Sequence, residues 1–186
     1  MSKELFLNFY YRTRVIPIVS LDFESLAGLL PKVYINNYEV VNLPKPNNEL
    51  FKIRNIFDVM LQRRSVREFS RKPISLEELS TLLYYSVGVR SYTNAYGFQN
   101  FPLRMFPSSG GLGEIETYIV PFNVNGLKKY NVYHYNAFHH VLENINTDEN
   151  LGKILYQRAL QSLPPYIVET LPCLINSSYS MFWESN

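Results

Sequence analysis

Hydrophobic and polar positions along this chain fall into helical stretches, alternating stretches and stretches with no period. The clearest helix is SLEELSTLLYYSVG, residues 75–88, where Leu76, Leu79, Leu82, Leu83 and Val87 recur at i, i+3 and i+4. Ser75 and Glu78 make an S-x-x-E capping box in front of it, and Gly88 ends it. A shorter helix is predicted behind the N-cap Asn55, with Ile56, Val59, Met60 and Arg63 on one face. ENLGKILYQRALQ, residues 149–161, predicts a third helix, stopped by Pro164 and Pro165. Alternation in TYIVPF and NVYHYNAF predicts two strands, with Asn125-Gly126 between them as a hairpin signal. PCLINSSYSMFW opens as a buried strand. RSYTNAYGFQNFPL, residues 90–103, has no period and predicts a long loop. Residues 1–48 are short apolar patches broken by prolines. The pattern sets an N-terminal extension or arm, 1–50, apart from a domain, 51–186.

Composition narrows the class. With 46% apolar and 18% charged residues, 186 residues can bury a core without covalent staples. Aromatic residues make up 15%, which suits strands and surfaces that meet another chain. One cysteine, Cys173, excludes an internal disulfide and points to a reducing, cytoplasmic compartment. The N-terminus has no secretion-signal pattern, and no stretch approaches 18 apolar residues, so neither export nor a membrane span is expected. Of the three histidines, adjacent His139 and His140 on a strand would point to opposite faces, and no acidic or cysteine partner stands at ligand spacing, so no metal site is expected. A net charge of +2 argues against a dedicated nucleic-acid binder.

That charge is unevenly spread. Residues 52–72 hold seven cations against Asp58 and Glu68, a local balance of +5, so the rest of the chain carries −3. Within this stretch QRRSVREFS combines Arg63, Arg64, Ser65 and Arg67. Guanidinium groups match phosphate oxygens in pairs, and a serine hydroxyl adds a further bond; a solvated basic surface is the ordinary alternative. PSSGGLGE, residues 107–114, could let a flat ligand approach its bare backbone or serve as a tight connection. It has neither the Walker pattern nor G-x-G-x-x-G after a strand.

In order along the chain, RRSVREF, PISLEELSTLLYYSVGV, RMFPSSGGLGEIETYIV and NGLKKYNVYHYNAFHHVLENI resemble the nitroreductase-like flavoproteins, and within them the SagB-type dehydrogenases of thiazole and oxazole peptide biosynthesis. The likeness runs from about residue 55 to 145. It implies an α+β, nitroreductase-like (FMN-dependent) fold, an antiparallel-rich sheet flanked by helices, with FMN held where two protomers interlock. Carried over by position, Arg63, Ser65 and Arg67, with Arg64, would hold the flavin phosphate and ribityl chain. Pro107, Ser108, Ser109 and Gly110, preceded by Arg104, would lie beside the isoalloxazine ring. The chemistry implied is oxidation of a peptide azoline to an azole, alongside a cyclodehydratase. This chain departs from the family after PCLINSSYSMFW, where a helix with a catalytic lysine and tyrosine would follow. Its Lys129-Tyr130 pair aligns elsewhere, so no catalytic residue is assigned. The expectation is an incomplete domain that works as a homodimer, or as a heterodimer with a complementary chain. The alternative is a truncated or split, non-catalytic subunit acting as a scaffold.

Overall fold

The computed structural model describes residues 38–50, 55–65, 72–108, 111, 115–162 and 173–179. Seven strands and three helices follow in the order β1 (Glu39–Asn42), α1 (Ile56–Gln62), α2 (Leu76–Val87), β2 (Val89–Ala95), β3 (Phe98–Arg104), β4 (Ile115–Pro121), β5 (Val132–Asn136), β6 (Val141–Asn146), α3 (Glu149–Ser162) and β7 (Cys173–Tyr179). Five strands form one antiparallel sheet in the order β1-β6-β5-β4-β7. The chain is α+β, an antiparallel sheet with helices.

Two apolar layers sandwich the sheet because its strands alternate. Ile119, Tyr133, Tyr135 and Leu142 point to one side, where Leu79 and Leu83 of α2 pack on them. Val120 and Val132 point to the other, against Ile145 and against Leu155 and Tyr156 of α3. Helix α2 starts at the expected capping box: Ser75 Oγ accepts from the Glu78 amide at 3.1 Å and Glu78 Oε2 from the Ser75 amide at 2.7 Å. Gly88 ends α2 for reasons of space, since a Cβ there would lie 2.4 Å from the Tyr84 carbonyl oxygen. Helix α3 is packed as closely, with Gly152 against the Tyr130 carbonyl.

Three expectations are corrected. Residues 90–103 are a β-ribbon: β2 pairs with β3 across a Tyr96-Gly97 turn whose φ values, +54° and +80°, suit a primed hairpin turn. Nearly all of β2 is exposed and the ladder is bulged, so no one-sided apolar alternation marks it. Asn125-Gly126 does turn, with Gly126 at φ +88°, but inside the longer connection 122–131, pinned to Ile74 by backbone hydrogen bonds. His139 and His140 lie in the β5–β6 turn, not on a strand. Residues 38–50, the described end of the N-terminal segment, supply edge strand β1 and then run along α2. The Asn47 amide donates to Thr81 Oγ1 and Asn47 Nδ2 to Glu77 Oε1, each at 3.0 Å.

Candidate functional site

Arg63, Arg64 and Ser65 leave the C-terminus of α1. Asn55 caps the helix by accepting from the Phe57 amide at 2.9 Å, and the helix stops where Arg63 turns to extended backbone. The cations thus follow the negative end of the helix dipole, a favourable place for them. All three residues are exposed, and their side chains make no ion pair or hydrogen bond with another described residue. The helix is exposed all round: Ile56, Phe57, Val59, Met60 and Leu61 show between 49% and 85% of their surface, and none of its residues is buried. Arg67 lies outside the described residues.

Arg104, Pro107 and Ser108 form a second group, at and just after the end of β3. The Arg104 guanidinium sits 5.8 Å from the centre of the Phe106 ring and 5.9 Å from that of Phe138. Its Nη1 donates a long 3.5 Å hydrogen bond to the Val87 carbonyl, and its buried Nε has no partner among the described residues. Burial pulls the Arg104 pKa down, and the Glu116 carboxylate works against that pull. After Pro107 the chain turns, with the Gly111 amide donating to the Ser108 carbonyl at 3.1 Å and Gly111 at φ +75°. Ser109 and Gly110 lie outside the described residues. Among the described residues no hydrogen bond, ion pair or ring contact joins Arg104, Pro107 or Ser108 to Arg63, Arg64 or Ser65.

Sequence reasoning missed the polar centre of the sheet. His134 on β5 is fully buried, with Nδ1 2.7 Å from Glu143 Oε2 and Nε2 2.7 Å from Glu116 Oε2. Asn136 Nδ2 donates to Glu143 Oε1 at 2.7 Å. Strand register explains the meeting: His134 stands opposite Tyr118 of β4 and Glu143 of β6, and Glu116 lies two residues from Tyr118 on the same face. A neutral imidazole has one donor and one acceptor, whereas ionised carboxylates only accept. Acidic partners for a histidine do exist here, delivered by neighbouring strands rather than by sequence spacing. The sign that could have found them is a charged residue at an inward position of a buried strand, in EIETYIV and again in VLENIN.

A second histidine ties the N-terminal segment to the domain. Ser80 Oγ donates to the Pro44 carbonyl, so His140 Nε2–H donates to Ser80 Oγ at 2.7 Å and Nδ1 accepts from Tyr135 O–H at 2.8 Å. Burial lowers the His140 pKa, and its contact with the Pro44 carbonyl partly offsets this. Burial also raises the Tyr135 hydroxyl and pushes the Cys173 thiol up to about 11, which makes Cys173 a poor nucleophile.

Residues 60–171 match the pattern of the nitroreductase family over more than half of the chain. This chain belongs to the nitroreductase family. Its members typically bind a flavin. A protein of Methanocaldococcus jannaschii, named for the same family, is 32% identical over 125 residues, which are 67% of this chain and 57% of that one. The chain thus spans little more than half the length of this curated relative. A solved structure from Anabaena variabilis, also named for the nitroreductases, superposes with a TM-score of 0.55 at 19% identity, covering 96% of this chain and 33% of its own; it shares the fold. The E. coli microcin synthetase McbBCD complex with truncated pro-MccB17 bound gives a TM-score of 0.44 at 18% identity, over 94% of this chain and 63% of that one.

Proposed function

We propose that this chain is the flavin-holding part of a SagB-type dehydrogenase, which uses FMN to oxidise a peptide azoline to an azole. The observation that carries the reading is Arg104: a guanidinium beside two phenyl rings, its buried Nε without an acceptor among the described residues, three residues ahead of Pro107. A buried donor left unpaired is costly, and an acceptor-rich flat ring would satisfy it. Arg63, Arg64 and Ser65, with Arg67 by its place in the motif, supply the charge-assisted donors a phosphate requires, and the side chains of the first three make no ion pair or hydrogen bond with another described residue. Bound FMN would supply the two-electron acceptor. The chain's own residues hold it, through the basic run at one end and Arg104 with Pro107, Ser108, Ser109 and Gly110 at the other. No residue is assigned as the base that removes the second hydrogen.

The deciding experiment is the visible absorbance spectrum of the purified protein with and without FMN. A band shifted from that of free FMN is expected. An azoline-containing peptide should then lose two hydrogens per ring when the protein is supplied with FMN and any complementary chain. Absence of a retained or shifted flavin band overturns the reading. A second reading, a non-catalytic subunit that docks on a second copy, a complementary chain or a cyclodehydratase, is favoured by the bare apolar side chains of α1. Sedimentation separates the cases: self-association or partner capture through α1 without flavin supports the scaffold, and a stable monomer with every such partner counts against it.

A further inference from the structure

The polar centre of the sheet has no part in holding phosphate in the reading above, yet its contacts lead to Arg104. Glu143 Oε1 accepts from Asn136 Nδ2, which leaves Asn136 Oδ1 turned toward the backbone of the next turn. There it accepts from the Phe138 amide at 3.1 Å and the His139 amide at 3.2 Å. These two bonds set the β5–β6 turn and with it the Phe138 ring, which lies beside the Arg104 guanidinium. The only hydrogen bond of the guanidinium to a described residue is the long one to Val87, so the flanking rings do much of the aiming.

We propose that Glu143, Asn136 and Phe138, anchored by His134 and Glu116, are a positioning chain that aims Arg104 Nε at an acceptor atom of the bound flavin. This deepens the flavin reading and rests on it. The doubly bonded imidazole is well suited to the anchor. Each of its nitrogens is fixed to a different strand, so Glu143 has one oxygen committed to His134 and presents the other to Asn136. A preorganised donor costs no reordering when the ligand arrives. The Glu116 carboxylate also supports the guanidinium charge against burial.

The test uses the full chain titrated with FMN, reading flavin fluorescence quenching, and separately the Arg104 Nε–H signal in 1H–15N spectra without flavin. Phe138 is half-buried in a turn, so Phe138→Leu is expected to fold even where Asn136→Ala does not. Phe138→Leu should weaken FMN by about tenfold, the weight of one cation–π contact at a desolvated site, and shift the Arg104 Nε–H signal. Phe138→Tyr keeps the ring face and should restore both. Wild-type affinity and an unmoved Nε–H signal in Phe138→Leu, while Arg63→Ala still weakens FMN, overturn the positioning chain and leave the flavin reading standing. A wild-type protein that takes up no FMN overturns that reading and the proposal with it.

Discussion

Helix α1 and the centre of the sheet both set ionisable groups beside aromatic ones, but they handle charge in opposite ways. Arg63 and Arg64 follow a helix with no buried residue, and their charge is left to solvent or to a ligand. His134, by contrast, sits at zero exposure with a carboxylate on each nitrogen, and one of those carboxylates is bonded again to Asn136. Charge held this way serves the fold, because breaking any link strands an unpaired group in a dry interior. Charge left exposed contributes little to stability and remains available to solvent or to a ligand.

The contrast breaks most readily at Glu143. Glu143→Ala removes the acceptor of both His134 and Asn136 and should cost about 3–5 kcal/mol in urea unfolding. Arg63→Ala should stay within about 0.5 kcal/mol in the same assay. Similar small losses in both would erase the distinction. Arg63→Ala should instead weaken FMN by about 1.5–3 kcal/mol, the range for hydrogen bonds to charged groups. Unchanged flavin affinity would sink the phosphate assignment.

Packing sharpens the comparison between the bare helix and a docked one. A Cβ at Gly152 would lie 1.9 Å from the Tyr130 carbonyl oxygen, so Gly152→Ala should lose about 1–3 kcal/mol although alanine favours an isolated helix by about 1. A stabilised variant in thermal unfolding would mean that α3 does not press on that loop. The smallest expected effect is that of pH at the His140 clip. Its folded pKa is lowered, so the unfolded state takes up the proton first. The contribution is full above the ordinary histidine value near 6.5 and is lost as pH falls through the lower folded one. Replacing His140 with Gln should flatten the stability profile in that window, and an unaltered slope would assign the acid sensitivity to another group.

Much of the fold was legible because local patterns and tertiary burial agree. The capping box, the leucine spacing of α2, the proline-bounded α3 and the alternation of β4 and β5 each carry their own signal. The β2–β3 ribbon lacked one, since a strand exposed on both faces need not alternate. The candidate site was legible as a motif, through Arg63, Arg64, Ser65, Arg104 and the P-S-S-G run, while Arg67, Ser109 and Gly110 fall outside the described residues.

What the sequence determined by itself is therefore local. It set the helix starts and stops, the inward and outward faces of β4 and β5, the concentration of cations after α1, and membership of the nitroreductase family. Only the tertiary structure decided that Glu116, His134 and Glu143, spread over 28 residues on three strands, meet at 2.7 Å, and that a guanidinium in a ribbon lies beside a ring in the β5–β6 turn. The physical reason is register. Period-two alternation tells which face a side chain takes, but which residue stands opposite it depends on how the strands pair, and that depends on the whole sheet.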